Sequence, residues 1–226
     1  MKNAIRVLVA MGLASGLSAC VGGSGTVSRG GVDGAALVVP AMGGAVVMAP
    51  QYDVTAVHVT VPRDLKVSEA NVFYPIADIV WRGEAPGDRY EQVRAILEDG
   101  VTSGTGAMHQ GRKVNVDVEL VRFHALTEKT RYTVGGVHSI KFMLTVRDAA
   151  SGVALDGPRM IVADVKAAGG SRAMAEDQAG RTQRVVIVEH LAAVIRRELS
   201  MPVAVPPGSD LVSQNGINTL VLTSVK

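Results

Sequence analysis

A single cysteine, Cys20, occurs in 226 residues. That excludes an intramolecular disulfide framework and leaves no second thiolate for a cysteine-based zinc site. Dense clusters of Lys and Arg are missing as well, which sets aside a nucleic-acid surface or a polybasic membrane contact. No apolar run approaches the roughly 20 residues that a membrane-crossing helix needs. The chain carries no GxxxxGK[ST] phosphate loop, no GxSxG nucleophile elbow and no HxH or HExxH metal spacing. Internal repeats are absent too. What is present is apolar content: 47% hydrophobic against 19% charged residues is enough for a buried core and argues against disorder throughout.

The first 20 residues, MKNAIRVLVAMGLASGLSAC, form a unit of their own. Lys2 and Arg6 supply a charged start, Val7 to Leu17 an apolar stretch, and no acidic residue precedes Asp33. This pattern is a secretory signal peptide over residues 1–19 and takes no part in the fold. With Lys2 and Arg6 removed, the remaining 21 basic residues equal the 21 acidic ones, so the mature chain is formally neutral.

The leader ends Leu17-Ser18-Ala19-Cys20, which resembles the lipobox of bacterial lipoproteins. Small side chains at Ser18 and Ala19 admit a signal peptidase to the bond before Cys20. The resemblance implies a diacylglyceryl group on the Cys20 sulfur and an N-acyl chain on its new amino terminus, with palmitate among the acyl groups. Several acyl chains hold where one would not. Val21, in place of an Asp after the cysteine, points to the outer rather than the inner membrane.

Residues 20–50 read as the acylated cysteine and a tether, Gly/Ser-rich over 21–34 and extended over 35–50. An ordered domain is expected over 51–200 and a Pro-containing tail over 201–226. Alternation of apolar and polar residues predicts strands near Val57–Val61, Leu65–Val72, Val114–Leu120, Ile140–Val146 and Val153–Val165. Asp88 with Glu91 forms a capping box for a helix through Val101 that frays at Gly100 and Gly104. A second helix is expected from about Ser171 to Leu199, with Met174, Val185, Val188, Leu191 and Ile195 on its buried stripe. The order of elements favours an α+β fold: an antiparallel sheet of four to five strands with two helices packed on one face.

Five histidines are present. If residues 114–124 and 138–147 form a hairpin that pairs Leu120 with Phe142, His124 falls opposite His138. The pair is then either a weak metal site, with Glu128 as a third group, or a structural cap on the core. Two histidines alone make a poor metal site, so no metal and no cofactor are expected. The segment 74–84, YPIADIVWRGE, is a candidate partner-binding connection through Asp78, Trp81 and Arg82; the alternative is a buried Trp81 with Asp78 and Arg82 paired locally.

The stretches YPIADIVWRGE, GDRYEQV, RFHALTEKTRYTVGGVHSIKF and ADVKAAGG resemble an uncharacterised lipoprotein family of alphaproteobacteria over about residues 50–200. That resemblance implies an envelope location and no activity, ligand or catalytic residue. A tethered domain of strands and two helices is also similar to auxiliary lipoproteins of envelope ABC transport systems. The expected function is a non-enzymatic binding or structural component, membrane-anchored, facing the periplasm and engaging an envelope protein. A carrier or transport auxiliary for lipid or another apolar ligand is the alternative, and a hydrolase a third.

Overall fold

In the computed structural model, residues 52–201 are described, together with three short strands, β1 (Val39–Pro40), β2 (Val46–Met48) and β9 (Val203–Val205). These three pair antiparallel in the order β1-β2-β9. Two of them lie in the stretch expected to be tether and one in the expected tail.

The main sheet has six strands: β3 (Tyr52–Thr60), β4 (Ile79–Val80), β5 (Arg112–His124), β6 (Gly136–Asp148), β7 (Ala154–Val162) and β8 (Val165–Ala167). Its centre is the antiparallel pair of β5 and β6, each 13 residues long. Two strands share each outer flank. On one side β3 runs beside residues 112–119 and β4 beside 123–124; on the other β7 runs beside 141–147 and β8 beside 136–138. The sheet is open.

The α+β class matches the expectation, but the sheet is mixed and has six strands. Both β3 and β4 pair parallel with β5. The reason is the connection: helix α1 (Arg89–Thr105) lies between β3 and β5, and a crossover through a helix returns the chain in the same direction. The expected strand at 65–72 reduces to an isolated bridge between Val67 and Ile79.

Among the described residues there are four helices: α1, α2 (Glu128–Arg131), α3 (Gly170–Gln178) and α4 (Gln183–Ser200). Asp88 caps α1 by accepting from the backbone of Tyr90 and Glu91. Glu91 does not complete the box, because Arg63 and Arg94 hold its carboxylate outward. The helix continues through Gly100 and Gly104, where no side chain stands between it and α4. A Cβ on Gly104 would lie 2.8 Å from the Ala192 carbonyl oxygen, and one on Gly100 would lie 2.6 Å from the Leu191 Cβ.

The single helix expected from Ser171 onward is two. Gly180 adopts φ +78°, a conformation natural to glycine, and Thr182 restarts the chain by capping α4 through the Val185 N–H. Met174 is consequently exposed. Helices α1 and α4 pack side by side on one sheet face, where Ile96, Leu97, Leu191 and Ile195 meet Val116, Val118, Phe142 and Leu144 in a fully buried core.

Candidate functional site

The most elaborately fastened part of the domain is the end of the sheet where β5 finishes and β6 begins. A bulge at Val121 starts it: Leu120 pairs with Phe142, but Arg122 pairs with Lys141, so one residue of β5 goes unmatched. Beyond the bulge the faces exchange. Phe123 takes the core position, and His124 turns to the opposite side.

Onto that side folds the loop Asn71–Ala77. Its backbone carbonyls are satisfied by side chains from below. Thr127 Oγ1 donates to Val72 O at 2.7 Å, Thr130 Oγ1 to Phe73 O at 2.8 Å and His124 Nε2 to Pro75 O at 2.9 Å. The Lys129 N–H donates to the Asn71 side chain, and Arg122 reaches the Tyr74 hydroxyl at 2.8 Å. The Tyr74 ring stacks on His124 with centroids 4.6 Å apart. With its backbone pinned, the loop directs apolar side chains outward: Ile76 is 98% exposed, Tyr74 67% and Phe73 52%. Tyr132 and Val134 on the α2–β6 connection, and Val137 at the start of β6, add exposed apolar groups, two residues and more beyond the Thr130 anchor.

Beside the tip is a cavity of about 260 Å³ lined by Lys66, Tyr74, Pro75, Ile76, Ala77, Asp78 and Arg122. One Asp78 oxygen accepts the Lys66 backbone N–H at 2.9 Å. Three further acidic groups of this end are taken up internally. Glu69 is held by Arg89, Glu128 by Arg82 at 2.5 Å and Asp177 by Arg131. In each case the hydrogen bond from the arginine holds the carboxyl below its ordinary range. Lys66, Arg122 and Lys129 form no ion pair among the described residues. Instead Lys129 Nζ sits 4.6 Å above the Phe73 ring and Arg122 6.0 Å from that of Tyr74.

The predicted histidine pair is not formed. His124 lies opposite Ser139, because the bulge displaces it by one residue, and it faces away from His138. His138 is completely buried on the core side, where its Nδ1 accepts the Leu126 N–H and its Nε2 has no partner. Burial, with Arg131 nearby, pushes its pKa down to about 4. Burial likewise lowers that of His124, against the opposing pull of its bond to Pro75. No cluster of three metal-binding side chains exists among the described residues.

Trp81 is 0% exposed and packs edge-on against Phe123 at 5.8 Å, so it contacts the core and cannot reach a partner. Gly83 makes room for it, since a Cβ there would lie 2.4 Å from the indole ring. Arg82 is committed to Glu128 and to the Glu69 carbonyl. Of the three candidates in that segment, Asp78 alone lines the cavity. Gly135 and Gly169 are more than turn residues: a Cβ on Gly169 would meet the Gly135 nitrogen at 2.2 Å, so two backbones cross in contact.

A second concavity, of about 610 Å³, lies on the sheet face opposite the helices. It is lined by His58, Thr60, Asp117, Glu119, Met143, Thr145, Arg147 and Pro158. Asp117 accepts from His58 Nδ1 at 2.9 Å and from Arg147 Nε at 2.6 Å. Burial works to raise the Asp117 pKa, but these two bonds outweigh it and hold the carboxyl low. Sequence reasoning missed this trio, although all three occupy polar positions of alternating strands. Placing them together required knowing that β3 lies parallel to β5.

Leu17, Ser18, Ala19 and Cys20 lie outside the described residues. No helix among the described residues is long and apolar enough to cross a membrane.

The architecture is that of an α+β domain with one helix-covered sheet face. The chain belongs to the family of unknown function DUF6778, which it matches over residues 52–214. Among solved structures it is similar to a "putative lipoprotein" from Caulobacter crescentus CB15. The identity is 17%, coverage is 51% of this chain and 83% of that one, and the TM-score is 0.28. Comparison with curated proteins finds no match.

Proposed function

We propose that this protein is a lipoprotein of the bacterial cell envelope. It is acylated on Cys20 and faces the periplasm, and its domain is a non-enzymatic binding component that engages the envelope through the Asn71–Ala77 end. The exposure of Phe73, Tyr74 and Ile76 on a loop whose backbone carbonyls accept four side-chain hydrogen bonds carries the binding part of this reading. A loop ordered in advance loses little conformational entropy on contact, and apolar groups left in water on such a loop gain from being covered. The lipobox pattern at residues 17–20 supports the anchor, and Val21 supports the outer membrane as its address. The carboxylates Glu69, Glu128 and Asp177 near this end are taken up by arginines, which suits a structural scaffold better than a reactive centre.

Fractionation of cells making the full chain tests the reading. Wild-type protein should sediment with membranes, band with the outer membrane on a density gradient and take up labelled palmitate. The Cys20→Ser variant should lose the label and leave the membrane fraction after washing. Equal labelling and sedimentation of both would contradict it.

A further inference from the structure

Building on that reading, we infer that the apolar tip is a second, reversible membrane contact: Phe73, Tyr74 and Ile76 enter the interfacial region of the bilayer, and Lys66, Arg122 and Lys129 meet anionic phospholipid headgroups. Three observations select a lipid surface over a protein partner.

The first is composition. Ile76 stands almost wholly in solvent and is flanked along the loop by the partly exposed rings of Tyr74 and Phe73. An exposed aliphatic side chain beside aromatic rings is the composition that a membrane interface accepts, where aromatic rings occupy the headgroup level.

The second is charge. The nearby carboxylates Glu69, Glu128 and Asp177 are neutralised within the domain, and Asp78 is engaged by a backbone N–H. The three cations that frame the tip have no carboxylate partner. Lys66, Arg122 and the Asp78 carboxylate all line the 260 Å³ cavity beside Ile76, so a phosphate group that settles there meets two positive side chains and one negative one. The mature chain as a whole is neutral, so this cationic rim is a local feature.

The third is reach. Residues 21–51, the 31 that separate Cys20 from Tyr52, extend to at most roughly 110 Å, so a lipid on Cys20 keeps the domain within that distance of the bilayer that carries it. Tethering at that distance raises the local concentration of lipid surface, so a weak contact suffices.

The test uses the full lipidated chain reconstituted in vesicles of phosphatidylethanolamine and phosphatidylglycerol. An environment-sensitive fluorophore is attached at Ile76→Cys or, as a control at the opposite end of β6, at Val153→Cys. The expected result is a blue-shifted emission at position 76 that lipid-borne quenchers reduce, with neither effect at 153. Replacing the anionic lipid with phosphatidylcholine should reduce docking, and Lys129→Glu should reduce it about five-fold or more, while Lys129→Arg preserves it.

If the protein floats with the vesicles but both probes report water, docking is wrong and the anchor stands. If position 76 is shielded only in native membranes and resists lipid-borne quenchers, the tip binds a protein and docking is again wrong. If the chain does not float at all, the anchor and the docking fall together.

Discussion

His138 is a neutral imidazole in the folded protein. Its pKa falls from 6.5 to about 4 because it is buried and lies near Arg131. The unfolded chain therefore takes up this proton first as pH falls. A histidine with a depressed folded pKa contributes stability that is complete above about pH 6.5 and is lost progressively toward pH 4. The shift corresponds to on the order of 3 kcal/mol across that window. His124 and His190, also lowered, act in the same direction. Urea unfolding at pH 7.5 and pH 5 should show a large loss for the wild type and a clearly smaller one for His138→Gln. Identical losses would show that the buried imidazole is not the source. Asp148, held down at about 2 by Ser151 and Arg112, loses its contribution as pH falls from about 4 to about 2, below the pH 5 at which the histidine is tested.

At the scale of elements, the contact between α1 and α4 depends on what is missing from one helix face. Gly100 and Gly104 cost α1 about 1 kcal/mol each in propensity relative to alanine, yet they let Leu191 and Ile195 approach its backbone. Gly104→Val should therefore destabilise the domain by roughly 2 kcal/mol or more through overpacking, since the Ala192 carbonyl cannot yield as a flexible side chain would. Thermal unfolding of the variant checks this, and an unchanged midpoint would refute the close packing. The same two glycines show what could be read beforehand. Alternation marked β5 and β6 and even their pairing at Leu120 and Phe142, because one face of each strand is buried. Three features were silent in composition: the bulge at Val121, the break at Gly180 and the parallel run of β3. Each depends on tertiary contacts or on a φ angle that many glycines could adopt.

For the molecule as a whole, legibility divides between its two ends. The pattern Leu17-Ser18-Ala19-Cys20, proposed above as a lipobox, is a local one in which adjacent residues would meet one enzyme, so it can be read from order alone. The exposed tip is not local. Tyr74 and Ile76 stand in the same stretch as Trp81, and only the fold separates the indole that enters the core from the side chains that leave it. The candidate connection 74–84 contains the exposed Tyr74 and Ile76, whereas Trp81 within it is buried and Arg82 is paired. His124, weighed as a ligand, is instead the ring on which Tyr74 rests and the donor that fixes Pro75.

The central claim is that a lipid on Cys20 holds this domain at a membrane. Mass spectrometry of the amino-terminal peptide of the protein purified from its native membrane tests it most directly. The predicted peptide begins at Cys20 and carries a diacylglyceryl thioether and an amide-linked acyl chain. A peptide that begins at Met1, or at any residue other than 20 with the Cys20 thiol free or absent, would contradict the account.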